Sequence, residues 1–131
     1  MLRTYSNNIT STASEPIVFN INKFNTSLDI LHTSGSGNII VQTPGYYEVN
    51  LDISATGTAG PAVIQLYADG VAIPDAIIST TLVADTDTNS SFNTTIRARA
   101  GLPGQTVNLT VVPTVDLTIS NISLGIDRKI N

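Results

Sequence analysis

His32 is the only histidine in the chain and its only candidate general base near neutral pH. It stands beside the turn residues Thr33-Ser34-Gly35. A hydrolase triad would also need a serine held on an elbow such as Gly-x-Ser-x-Gly, and the sequence has none. A turn histidine without chemical duty is the simpler reading. Paired carboxylates are the next resource. Glu48 and Asp52 fall on one face of an alternating segment. Four strand residues separate their Cα atoms by ~13 Å. Glycosidases hold their two carboxyl groups ~5–9.5 Å apart. A solvated or subunit-facing strand surface fits the pair better.

Asp85-Thr86-Asp87-Thr88-Asn89 begins like a calcium loop. The glycine due next is Ser90, and the bidentate glutamate due at the loop's end is Ile96. A polar hairpin tip is the default, with calcium held by a β-loop as the lesser alternative. Gly35-Ser36-Gly37 opens like a dinucleotide fingerprint, but Ile40 stands where the third glycine belongs and no βαβ unit follows. Cysteine is absent, so neither disulfides nor thiolate metal sites are available. No catalytic residue, cofactor site or metal site is expected, and the chain is read as a non-enzyme.

Composition narrows the partners. The net charge is −4, and the six cations (Arg3, Lys23, Arg97, Arg99, Arg128, Lys129) are scattered. Arg97 and Arg99 share a strand face, but two arginines make no phosphate-tracking groove. Nucleic acid is therefore not an expected partner. No apolar run approaches the ~18 residues of a membrane helix. Residues 1–14 are polar and lack the apolar core of a signal peptide. Only 12% of residues are charged, while Ser, Thr and Asn abound. Such a surface of hydroxyls and amides is common on secreted β proteins and on virus particles.

The elements that position these residues are strands. No segment carries apolar residues at helical spacing with caps. Period-two alternation recurs instead, with turn residues every 8–12 positions. Strands are predicted over 16–22, 28–32, 38–43, 46–56, 62–68, 71–73, 76–84, 92–100, 106–112 and 117–126. The 46–56 strand is the clearest, with Tyr47, Val49, Leu51, Ile53 and Ala55 inward. Asp69-Gly70 marks a tight hairpin. The last strand is out of phase. Leu117 and Ile119 lie on one face, and Ile122, Leu124 and Ile126 on the other. Either a bulge near Ser120-Asn121 restores the phase, or both faces are buried, one of them against another subunit. Residues 1–15 read as a separate extended arm that docks on a partner, and 16–131 as the β-sandwich domain.

The segment Thr43-Pro44-Gly45-Tyr46-Tyr47-Glu48-Val49 resembles a known pattern: a Pro-Gly turn, an aromatic, then a central alternating strand. It is similar to the trimeric jelly-roll heads of the tumour necrosis factor superfamily and the complement globular-head family. Ile64-Gln65-Leu66-Tyr67-Ala68-Asp69-Gly70 resembles their next strand and hairpin. Ile96-Arg97-Ala98-Arg99-Ala100-Gly101 with Val107-Asn108-Leu109, and then Ile119 to Ile126, resemble the later strands. The likeness spans residues 16 to 127. Gly104-Gln105 departs from the usual Gly-Asp, and no collagen-like stalk is seen. No receptor-contact motif carries over.

The resemblance implies an all-β, two-sheet antiparallel sandwich, a TNF-like jelly roll, assembled as a homotrimer. Candidate subunit contacts are Tyr46, Glu48 and Asn50 on the central strand and Ile122, Leu124 and Ile126 on the last. Leu2, Arg3, Tyr5 and Ile9 are the candidate docking residues of the arm. The expected role is a structural virion protein of a bacteriophage: capsid decoration, head fibre, or tail and fibre component. Its partners would then be its own copies and other virion proteins such as capsid or tail proteins. The alternative is a module binding a host-surface receptor or glycan, on a phage fibre or a bacterial cell or spore surface.

Overall fold

A computed structural model describes residues 1–26, 28–98 and 106–129. Among the described residues ten strands follow in order: β1 (Leu2–Ser11), β2 (Ile21–Asn25), β3 (Ile30–His32), β4 (Ile39–Val41), β5 (Gly45–Thr56), β6 (Gly60–Ala68), β7 (Val71–Leu82), β8 (Thr88–Ala98), β9 (Val107–Pro113) and β10 (Leu117–Lys129). They form two antiparallel five-stranded sheets, ordered β2-β1-β10-β5-β8 and β3-β4-β9-β6-β7. The expected all-β sandwich is the fold observed. The pairing of Arg97 with Arg99 and the turn from Gly101 to Gly104 lie outside the described residues.

β5 alternates as its sequence requires. Tyr47, Val49, Leu51, Ile53 and Ala55 are buried between the sheets. They meet Ile64, Leu66, Leu109 and Val111 from the second sheet within one continuous core. Burial of such side chains stabilises by about 1.5–3 kcal/mol each relative to exposure.

The arm is corrected. Leu2–Ser11 is not a separate docking segment but β1, paired with β10 on one side and β2 on the other. Leu2, Thr4 and Ser6 point into the core and are fully buried. The two polar ones are satisfied: Thr4 Oγ1 donates to the Ile21 carbonyl (2.9 Å), and Ser6 Oγ donates to the Val18 carbonyl (2.9 Å). That satisfaction makes a Thr and a Ser tolerable inside. The predicted 16–22 strand is mostly a connection. Ile17 and Phe19 are buried from it, Phe19 bridges to Ser36, and its last two residues, Ile21 and Asn22, open β2.

The phase change in β10 is a bulge. Its register against β5 shifts between Ile119 and Asn121, which leaves Ser120 extra. β1 makes a matching step at Asn8, whose φ of 53° is left-handed. Both strands therefore switch phase together. Leu117, Ile119, Ile122, Leu124 and Ile126 all reach the same core. The predicted 71–73 and 76–84 strands are one strand, β7. It leaves the ladder around exposed Pro74, which has no N–H to give, and the β6 register shifts opposite.

Candidate functional site

The outward face of the β2-β1-β10-β5-β8 sheet carries the functional candidates. On β5, Tyr46, Glu48 and Asn50 point away from the core, as their alternation with Tyr47 and Val49 demands. Tyr46 is 39% exposed although it lies on a long central strand. The Arg97 guanidinium of β8 lies over its ring, 5.9 Å from the centroid. Glu48 pairs with Lys129 of β10 at 3.5 Å and accepts a hydrogen bond from Asn93 Nδ2 at 3.4 Å. Tyr46 and Glu48 thus sit in a small polar and aromatic cluster drawn from three adjacent strands.

Ile122, Leu124 and Ile126 do not join it. All three are fully buried inside the single chain. The bulge at Ser120 turns them inward, so they are core and cannot be subunit contacts. Among the arm residues, Leu2 is also core, and Ile9 packs against the core from a half-buried position. Arg3 and Tyr5 alternate with Leu2 and Thr4, so they stand on the outward face. There they join Lys23 and Phe24 of β2 and Asn121 and Ser123 of β10 around a hollow of about 540 Å³. Lys23 and Phe24 carried no chemical motif in the sequence. An aromatic beside a lysine, in a strand whose Ile21 also faces out, was the available signal.

A second corner of the molecule fixes the start of β5. Tyr47 Oη donates to the Thr43 carbonyl at 2.7 Å. Arg128 donates to the Pro44 carbonyl at 3.1 Å and pairs with Asp29 at 3.5 Å. Its guanidinium lies over Gly45, whose φ of 152° favours glycine. Burial raises the Tyr47 pKa above the usual tyrosine value, the charge of Asp29 raises it further, and Arg128 opposes both. The Pro-Gly-aromatic motif is therefore a structural anchor for the central strand.

The remaining candidates have structural surroundings. His32 closes β3. Its Nδ1 meets Asn22 Oδ1, its Nε2 meets the Ser36 carbonyl at 2.8 Å, and its ring packs edge-on to Phe19. Asn22 Nδ2 donates to the His32 carbonyl and Asn25 Nδ2 to the Ile30 carbonyl. These amides link the β2 edge of one sheet to the β3 edge of the other. Asp52 is exposed on β5, four residues from Glu48. Asp85 and Asp87 are exposed at the β7–β8 connection, and Asp85 has a left-handed φ of 60°. Among the described residues no three His, Cys, Asp or Glu side chains gather as metal ligands, and no helix is long and apolar enough to cross a membrane.

No protein-family model and no curated protein matches the chain. Solved structures do. The globular domain of zebrafish complement 1qA protein matches with a TM-score of 0.68 and 14% identity, over 99% of this chain and 97% of that one. Murine APRIL gives 0.71 at 7% identity, over 94% and 96%. The PRD1 vertex protein P5 gives 0.59 at 11% identity, over 99% and 96%. The chain has the TNF/C1q-like jelly-roll head fold. The likeness covers β1 as well as the segment from residue 16 onward. None of these three neighbours is named as an enzyme.

Proposed function

We propose that the chain is a non-enzymatic structural protein of a bacteriophage particle and acts there as a homotrimer. The observation that carries the reading is the end-to-end likeness to a viral vertex protein, which spans 99% of this chain. The surface chemistry supports it. Across the whole chain only 12% of residues are charged, while Asn, Ser and Thr abound. A particle protein that assembles through many copies benefits from such a surface, because charges are costly to bury between subunits.

The subunit contact is assigned to the outward end of β5. Tyr46, with Arg97 across its ring, offers an amphipathic aromatic of the kind that anchors interfaces. Glu48 and Asn50 follow it along the same face, and Glu48 is paired with Lys129. This arrangement keeps the chain's interior, including Ile122, Leu124 and Ile126, out of the contact.

Gradient-purified particles of the phage that encodes the chain provide the test. The chain should remain with the particles, in copy numbers divisible by three, and deletion of its gene should yield particles lacking it. A chain found only in the soluble fraction of the lysate would sink the proposal.

A further inference from the structure

Arg3 and Lys23 stand out in the electrostatics of this acidic chain. Arg128 has Asp29, Lys129 has Glu48, and Arg97 lies on Tyr46. Among the described residues neither Arg3 nor Lys23 has a carboxylate partner, nor does either donate a hydrogen bond. Both line the same hollow on the β2-β1-β10 half of the sheet. Two like charges side by side without a counterion repel, and a ligand anion would relieve that.

The hollow is shaped for more than an anion. Gly125 of β10 lies opposite Arg3. A Cβ built there would come within 3.2 Å of the guanidinium carbon. The missing side chain leaves room for the Arg3 guanidinium over Gly125. That geometry suits the bidentate grip of a carboxylate. Phe24 lies across from Arg3 on β2, and Tyr5 follows Arg3 on the same face of β1. Phe24 is 40% exposed, which leaves its ring face open to a ligand. Ser123 and Asn121 supply hydroxyl and amide groups on the β10 side. The volume of about 540 Å³ falls in the range of small-molecule sites.

We propose that this hollow binds a carboxylate-bearing saccharide. The carboxylate sits between Arg3 and Lys23. The C–H face of the sugar ring packs on Phe24 and Tyr5, and its hydroxyls reach Ser123 and Asn121. An inorganic anion would use the cations and leave both aromatics idle. A neutral sugar would leave the cations unpaired. The site goes beyond the structural role proposed above; it shares the outward sheet face with the assigned subunit contact, Gly125 lying between Arg3 and Asn50, and the experiment below reads the two separately.

The experiment is an amide chemical-shift titration of the full chain. The probes are a uronic-acid disaccharide, its carboxyl-reduced neutral counterpart, and inorganic sulfate. Light scattering on the same samples reports the oligomeric state. The acidic disaccharide should give saturable shifts centred on residues 3, 5, 23, 24, 121 and 123. The neutral one should bind roughly tenfold or more weaker, for want of its charge-assisted hydrogen bonds. Arg3→Lys, which keeps the charge and loses the fork, and Phe24→Ala should each weaken binding by a similar factor. Both are surface changes that leave the core untouched. No saturable shift, or equal binding of the neutral sugar, would overturn the proposal. So would sulfate binding as strong as that of the acidic sugar and indifferent to Phe24→Ala, which marks a simple anion site. Shifts at these residues that follow protein concentration instead of sugar would show a second copy seated in the hollow, and also overturn it. A monomeric mass with normal sugar binding removes the trimer reading alone; a trimeric mass without sugar binding removes this inference alone.

Discussion

Leu124→Ala separates a core strand from a subunit-facing one. Leu124 sits on β10 between Thr4 of β1 and Leu51 of β5, fully buried, with Ile122 and Ile126 on the same inward face. Truncation removes three buried carbons and leaves a void between two packed sheets. Comparable leucine truncations cost roughly 2.7–5.0 kcal/mol. The neighbouring backbone is held by strands on both sides, so the site has little freedom to collapse. A loss of about 3 kcal/mol is expected. For a chain of this length that lowers the melting temperature by roughly 10 °C. Urea unfolding followed by circular dichroism measures the loss, and light scattering in native buffer measures the assembly. The expected result is the full stability loss with an unchanged native mass. A stability change under about 0.5 kcal/mol, the size of a surface substitution, combined with a reduced mass, would refute the placement of β10 and restore Leu124 to a subunit interface.

Three further outcomes follow from the geometry. Tyr47→Phe removes the bond to the Thr43 carbonyl and should cost about 1 kcal/mol at neutral pH by urea unfolding. The raised Tyr47 pKa means its contribution is whole below pH 10 and is lost as pH rises through the higher folded value, so the variant should lose less stability than the wild type above pH 10. Gly125→Ala should leave the melting temperature nearly unchanged, because only the movable end of Arg3 stands in the way, yet weaken binding of the uronic-acid disaccharide. His32→Ala empties the place between Asn22, Ser36 and Phe19 and should destabilise by roughly 1–3 kcal/mol, read by thermal melting, with no effect on assembly.

β5 was legible because its inward residues are all apolar and its outward ones polar or amphipathic, and period two is visible without any partner. β1 was hidden for the opposite reason. Thr4 and Ser6 occupy inward positions, and only the carbonyls of Ile21 and Val18, supplied by a later segment, make them acceptable there. No local pattern encodes that compensation. β10 was legible in its apolar content and ambiguous in its phase. Of the two expected explanations the bulge holds, and its cause lies in the paired step at Asn8 and Ser120 across two strands far apart in sequence. The outward cluster was legible in part. Tyr46, Glu48 and Asn50 follow from β5 alternation alone. The hollow was not, because Arg3, Lys23 and Ser123 meet only once β2 and β10 flank β1.

Light scattering on the purified full chain at micromolar concentration tests the homotrimeric jelly roll most directly. The expected mass is three times the 13.8 kDa of one chain. It should fall to a single chain's mass in Tyr46→Asp, with the β-sheet circular dichroism retained. A wild-type mass of one chain, or a trimer that Tyr46→Asp leaves intact, would contradict the assembly face assigned to β5.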